Sequence, residues 1–372
     1  MTKNMAKDKV TISQLQQDII NNSQKGFPLT SQPYQTITEQ LANVNIVTNE
    51  QEVFQAIEDL NSQEILSRVG PVFDHKKAGA STLAALAVPA EDLDRIADIV
   101  NQFEQVNHNY GREPYSGKQK FNLWFVITAS DMVALNSTIA HIELLTGLAV
   151  LVLPMEASYH IDLAFSINVT GVESPTSNQV NSQVENQTGN KLTGLSKIEK
   201  TALRHAIEKG LPTHLYPYQV IAKQLGLTEQ QVLIQISLWQ KEGLIRRFGL
   251  VIKHRKLGYD ANAMVVWNIP NDDMDNVAQR LAKCAPVSLC YQRPRRLPDW
   301  PYNLFCMIHG TDRTLVLQQI SQITEQLGLE SIEKDILFSF KAYKQHGARY
   351  GKIKANSTPN NIDIKKQGQA HG

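Results

Sequence analysis

Cysteine is scarce in this chain. There are 3 in 372 residues, Cys284, Cys290 and Cys306, and no two have C-x-x-C spacing. A disulfide scaffold or a structural zinc site needs more thiols or that spacing, so the expectation is reduced thiols in a cytoplasmic protein. Long apolar runs are also missing. The most apolar stretch, residues 144–155, is well short of the ~20 residues that span a bilayer. The N-terminal MTKNMAKDKVTISQLQQD has no signal-peptide core. Charge of one sign is not in excess: Lys+Arg 37 against Asp+Glu 36 leaves a net +1. That balance argues against a surface built to coat nucleic acid, while leaving room for a local basic pocket. A Walker loop, GxGxxG opening a helix, HExxH and GxSxG are all absent, which removes the nucleotide, dinucleotide, zincin and serine-hydrolase readings. What remains is 42% hydrophobic and 20% charged, enough for a sizeable core in two or three domains.

The chain is internally duplicated. SRVGPVFDHKKAGASTLAALAVP around Arg68 is echoed by RRFGLVIKHRKLGYDANAMVVWNIP around Arg247. Arg68, Gly70, His75, Lys77 and Gly79 recur as Arg247, Gly249, His254, Lys256 and Gly258, each 179 positions later. Pro89, Tyr110, Arg112, Asn122 and Leu123 recur as Pro270, Tyr291, Arg293, Asn303 and Leu304, each 181 later. KGFPLTSQPYQTITEQL matches KGLPTHLYPYQVIAKQL at 184. Collinear blocks at a nearly constant offset mark two copies of one unit.

Each copy carries the same order of elements. Short helices come first, predicted over 196–209, 218–225 and 229–242 in the second copy, with Thr228 as N-cap and Gly226 and Gly243 as stops. A β-branch-rich stretch follows, and the set reads as a winged helix-turn-helix. Strand, helix, strand, strand, helix and strand come next, predicted in the first copy over 81–88, 91–103, 105–112, 120–128, 131–145 and 149–155. That is the ferredoxin-like βαββαβ order, an α+β class fold with helices on one sheet face and the other face left for a ligand or partner. The expected division is a disordered tail over 1–10, helix-turn-helix units over 11–66 and 195–246, ferredoxin-like units over 67–168 and 247–352, a Ser/Asn/Gln-rich flexible linker over 169–194, and a disordered tail over 353–372.

This arrangement resembles the leucine-responsive (Lrp/AsnC) regulators, which suggests a transcription factor. Charge opposes that. The candidate recognition helix over 49–64 carries Glu50, Glu52, Glu58, Asp59 and Glu64 with no Lys or Arg, and its counterpart over 228–242 has Lys241 alone. Such helices repel a duplex, so no DNA partner is expected.

Chemistry-bearing residues gather on the predicted strand over 105–112. His108, Tyr110 and Arg112 alternate, so imidazole, phenol and guanidinium share one face. The plainer reading is a solvated hairpin edge. The second copy has Leu289, Tyr291 and Arg293 there, so the two halves are not chemically equivalent. RPRRLPDW places Arg293, Arg295 and Arg296 beside Trp300 and Tyr302, which suits a flat polyanion; the plainer reading is a mobile basic loop. His254, in KHRKLG, has cations on either side that lower its pKa and favour the neutral ring; His75 is its counterpart. His309 and His160 are weaker candidates, and His141, His346 and His371 read as incidental.

These motifs carry a more specific likeness. SRVGPVFDHKKAGASTLAALAVP with HNYGRE and FNLWF resembles the D-type subunit of siroheme decarboxylases. IRRFGLVIKHRKLGYDANAMVVW with CYQRPRRLPDWPYNLFCMIHG resembles the L-type subunit. Together they resemble the fused D–L siroheme decarboxylases of heme d1 biosynthesis, over nearly everything except the linker and tails. The resemblance implies a carboxy-lyase that removes the C12 and C18 acetate carboxyls of siroheme, giving 12,18-didecarboxysiroheme. It implies no cofactor and no metal of the protein's own, because the iron belongs to the substrate. Under that reading His108, His254 and Tyr110 are the catalytic candidates, with His108 or His254 a possible axial ligand to the substrate iron. Arg68, Arg112, Arg247, Tyr291, Arg293, Arg295, Trp300 and Tyr302 would bind the macrocycle and its carboxylates. Expected partners are siroheme, further copies of the chain and other proteins of heme d1 biosynthesis, with no membrane. The alternatives are a ligand-sensing Lrp/AsnC-like regulator and a tetrapyrrole carrier without catalysis.

Overall fold

A computed structural model describes residues 11–161, 194–348 and 350. The expected terminal tails and the linker, apart from its last residue, lie outside the described residues. In the first copy the helices α1 (Gln14–Ser23), α2 (Pro33–Ala42) and α3 (Glu50–Ser62) precede β1 (Leu66–Phe73) and the short α4 (His75–Ala78). The rest is β2 (Ala80–Leu86), α5 (Leu93–Asn101), β3 (Val106–Pro114), β4 (Leu123–Ala129), α6 (Met132–Thr146), β5 (Leu151–Pro154) and β6 (Ala157–Ile161). The second copy runs α7 (Lys197–Glu208), α8 (Pro217–Leu225), α9 (Glu229–Lys241), β7 (Ile245–Ile252), β8 (Ala261–Trp267), α10 (Met274–Leu281), β9 (Val287–Gln292), β10 (Leu304–Gly310), α11 (Arg313–Leu327) and β11 (Lys334–Gln345). No described helix is long and apolar enough to cross a membrane.

Local chemistry sets the helix starts. Ser13, Ser196 and Thr228 each close a capping box on a Gln or Glu three residues on. Pro33 and Pro217 open α2 and α8, where a missing N–H costs nothing.

The copies interlock instead of standing side by side. β1 and β7 pair antiparallel with Gly70 opposite Gly249, so equivalent residues meet at a pseudo-twofold axis. A side chain at Gly249 is excluded, since its Cβ would lie 2.2 Å from the Gln24 carbonyl oxygen, and one at Gly70 would be tight, its Cβ 3.1 Å from Gly210 Cα. Thus α1 of the first copy presses on β7 and α7 of the second on β1, while α3 and α9 pack on the ribbon strands of their own copies.

The other strands form one nine-stranded sheet, ordered β5-β2-β4-β3-β11-β8-β10-β9-β6. β11 joins the halves, its first part pairing with β8 and its second with β3. The end strands β5 and β6 are separated only by Met155 and Glu156, so the sheet curls until its ends meet. β6, which the sequence pattern does not announce, pairs with β9 of the other copy. Helices α5 and α6 cover the outer face of one half and α10 and α11 the other, each over its own apolar cluster. Inside the curl, Trp124 and Leu153 from one copy pack with Met264, Val266, Trp300 and Phe305 from the other. Burying a large apolar side chain is worth about 1.5–3 kcal/mol, and here that gain requires both copies.

Candidate functional site

A cavity of about 420 Å³ opens inside the curled sheet, beneath the β1–β7 ribbon. Its walls follow from strand alternation. On β3, His108, Tyr110 and Arg112 all face it; Leu289 and Tyr291 on β9 and Arg293 just after it do; on β10, Phe305, Met307 and His309 do. The ribbon contributes Arg68 and Arg247. The turn after β7 adds His254 and Arg255, and the end of β11 adds Gln345 and His346. Among the described residues, five arginines and four histidines line the space, with no aspartate or glutamate.

The two arginines of the duplicated motif are held alike. Arg112 donates from Nη1 to the Leu337 carbonyl on β11 (3.1 Å), and Arg293 donates from Nη1 to the Leu153 carbonyl on β5 (2.5 Å). Each guanidinium lies over the tyrosine two residues earlier, at 5.5 Å for Tyr110 and 5.6 Å for Tyr291. One bond fixes each fork and leaves further donors toward the cavity. Burial depresses both to about 10, which keeps them charged at neutral pH. Arg255 donates to the Ser339 carbonyl (2.6 Å) and hydroxyl (3.1 Å).

His108 Nδ1 lies 3.3 Å from the Tyr110 hydroxyl, the rings stacked at 6.0 Å. Burial, then His346 and Arg68, push His108 down to about 4. His309 Nδ1 lies 2.6 Å from Asn262 Oδ1; burial and Arg112 take it to about 4. His254 is pushed down to about 3 by burial, then by His309 and Arg247. Burial is the largest cause of this shift, and the flanking cations in KHRKLG that were expected to produce it are not among its causes. Burial raises the phenols of Tyr110 and Tyr291, the latter to about 12.

These imidazoles are neutral in the ligand-free protein at neutral pH. Once unfolded they titrate near 6.5, so between about 4 and 6.5 the unfolded chain binds more protons and acid favours it. The ligand-free protein is therefore expected to melt progressively lower from about pH 7 to about pH 5, and His309→Gln is expected to flatten part of that slope. Thermal melting against pH checks this; a flat wild-type profile contradicts it.

The sequence-derived candidates His108, Tyr110, Arg112, Arg68, Arg247, His254, Tyr291 and Arg293 all line the one cavity. Three do not. Arg295 is spent on the Ile269 and Pro301 carbonyls and on Asn268 and Asn271. Trp300 and Tyr302 are buried in the core behind the wall, where Trp300 packs against Trp124 at 5.0 Å and Phe305 at 6.0 Å. Of the Arg-aromatic interleaving that suggested a macrocycle cradle, Arg293 lines the cavity, while Arg295 holds a turn and Trp300 and Tyr302 fill the sheet interior. Nor is β3 a solvated edge, since it lies between β4 and β11. Sequence reasoning undervalued His309 and His346 and passed over Arg255. Period-two alternation from Phe305 through Met307 to His309 was a usable signal for the first.

Comparison with known proteins agrees with this architecture. A family model described as an AsnC-like ligand binding domain matches residues 77–160 and 256–344, and one described as a Siroheme decarboxylase NirDL-like HTH domain matches 200–246. The siroheme decarboxylase NirDL subunit of Paracoccus denitrificans (strain Pd 1222) is 33% identical over 93% of this chain and 100% of its own length. The siroheme decarboxylase NirL subunit of Stutzerimonas stutzeri is 51% identical over 42% of this chain and 92% of its own. The crystal structure of the siroheme decarboxylase NirDL in co-complex with an iron-uroporphyrin III analogue shares the fold with a TM-score of 0.60 at 23% identity, over 90% of this chain and 93% of that one. With a full-length relative at that identity and both copies matched by the same domain description, the chain belongs to the siroheme decarboxylases of the fused NirDL type.

Proposed function

We propose that this chain removes the C12 and C18 acetate carboxyls of siroheme to give 12,18-didecarboxysiroheme, a step of heme d1 biosynthesis. One observation carries the reading: a cavity lined, among the described residues, by five arginines and four histidines and by no acidic residue. Siroheme brings eight carboxylates on an iron macrocycle, and the iron-uroporphyrin III analogue held by the related structure is a ligand of that class. Guanidinium groups match carboxylates in charge and fork geometry.

The division of labour follows from charge. An arginine on the departing carboxylate would stabilise the ground state, so the arginines hold the other chains and fix orientation. Arg68, Arg112, Arg247 and Arg293 take that part, with Tyr291 beside Arg293. As the carbon–carbon bond breaks, carbon dioxide leaves and its electron pair stays on the methylene carbon, where the macrocycle delocalises it. One proton then converts methylene to methyl. His108, with Tyr110 in contact, and His254 are the candidates to donate it or to face the substrate iron. A polyanion raises the pKa of a nearby imidazole, so carboxylates of the substrate beside either histidine would favour its protonated, proton-donating form. The balance needs no oxidant or reductant, so no resident cofactor is called for.

Anaerobic incubation of the full chain with siroheme, followed by mass analysis of the tetrapyrrole, is expected to show loss of two carbon dioxides. Tetrapyrrole retained at unchanged mass would reduce the protein to a carrier.

A further inference from the structure

One buried amide joins two of the cavity's histidines. Asn262 lies on β8 directly opposite His309 on β10, and both side chains line the cavity. Asn262 Nδ2 donates to the Tyr259 carbonyl at 2.9 Å, and Asn262 Oδ1 lies 2.6 Å from His309 Nδ1. The Tyr259 N–H donates to the His254 carbonyl at 3.2 Å. The Tyr259 ring also stands edge-on to the His254 imidazole, with centroids 6.3 Å apart. Asn262 thus ties the turn that carries His254 to the strand that carries His309.

This chain of bonds runs in one direction only. A carbonyl accepts and never donates, so the amide nitrogen of Asn262 faces Tyr259 and its oxygen faces the imidazole. That oxygen also only accepts. The hydrogen of a neutral His309 therefore resides on Nδ1, and the lone pair is on Nε2. Burial keeps the ring neutral in the ligand-free protein. The charged or titratable groups that act on it are Arg112 from β3 and His254 from the turn after β7. A proton gained when carboxylates approach adds at Nε2 and leaves from there, while Nδ1–H stays with Asn262.

The duplication supplies an internal control. In the first copy the same register places Ser81 opposite Thr128, each 181 positions before Asn262 and His309. The sheet therefore forms without an amide and an imidazole at this pair. Strand pairing does not account for their presence in the second copy.

We propose that Asn262 is a positioning residue of the decarboxylation, fixing the hydrogen of His309 on Nδ1 and holding the His254 turn in register with it. The inference rests on the siroheme reading above and assigns to that site a residue that orients two of its imidazoles.

The test joins two measurements on the full chain. Two-bond proton–nitrogen correlation of the histidine rings in the ligand-free protein reads the tautomer, with the His309 signal assigned from a His309→Gln sample. Single-turnover rates and siroheme titrations follow for wild type, Asn262→Ser and Asn262→Asp. Asn262→Ser copies Ser81, so the sheet accepts it. Wild type is expected to show hydrogen on Nδ1 of His309. Asn262→Ser is expected to lose that tautomer and to slow the saturated rate by about 10- to 100-fold, with affinity close to wild type. Asn262→Asp keeps an acceptor at Nδ1 and should keep the tautomer and recover part of the rate. Hydrogen on Nε2 in the wild type overturns the proposal, as does a wild-type rate in Asn262→Ser. Weakened affinity at an unchanged saturated rate also overturns it, by making Asn262 a substrate contact. Wild type with the expected tautomer but no turnover is a different failure: the decarboxylase reading falls and takes the positioning role with it.

Discussion

Replacing His108 by alanine is expected to leave siroheme binding close to wild type while slowing decarboxylation by about 100- to 10,000-fold, the range for loss of a positioned general acid. The imidazole lies on the cavity wall, 3.3 Å from the Tyr110 hydroxyl, and the proposed division of labour gives the carboxylates to the arginines instead. His108→Gln separates proton donation from hydrogen bonding, because glutamine can still reach the phenol but does not titrate. It is expected to be as slow as the alanine variant. Tyr110→Phe, which keeps the ring and removes the partner, should fall between. The measurements are single-turnover rates at saturating siroheme, with binding followed by the absorbance of the bound tetrapyrrole. Turnover unchanged in both His108 variants would remove this residue from the chemistry and leave His254 to supply the proton.

The second large effect is on affinity. Arg112→Gln and Arg293→Gln are each expected to weaken siroheme binding by about 10- to 100-fold, since a hydrogen bond to a charged group is worth about 1.5–3 kcal/mol. The rate at saturation should change little, because contacts to non-reacting chains are the same before and during bond breaking. Both guanidinium groups also tie a strand of the other copy, so each variant needs a melting curve beside its titration. Arg293→Lys separates the contributions: it keeps the charge and loses the fork, and should recover only part of the affinity. A collapse of the saturated rate with binding intact would show that these arginines act on the reacting carboxylate.

How far the sequence spoke depends on whether a feature was local or shared. Alternation of His108, Tyr110 and Arg112 was legible because a strand repeats every two residues. The duplication announced the pseudo-twofold, and Gly70 does lie opposite Gly249. Pairing of β3 with β11 was not legible, since no local pattern names a partner more than 200 residues away; the register shifts along that pair add to the difficulty. His346 was lost for this reason: it follows a strand end that only the pairing of Gln345 with His108 carries to the cavity. Near-neutral total charge was compatible with a local basic pocket, and Arg68, Arg112, Arg247 and Arg293 were named from the sequence, whereas Arg255 was not. Trp300 misled in the other direction. An aromatic among cations suits a ligand, but Trp300 fits equally well against Trp124 and Phe305, and composition alone does not distinguish the two.

The crossing strands bear on how such a molecule could be divided. β11 completes the sheet of one copy and then enters the other, and β6 returns the exchange beside β9. Cohesion therefore resides in backbone ladders and in an interior built from both sides, while the peptide bonds joining the copies only fix their ratio at one to one. If the two halves were made as separate polypeptides, they would find each other through the same ladders and restore the same chamber. Neither half alone would have a chamber to offer.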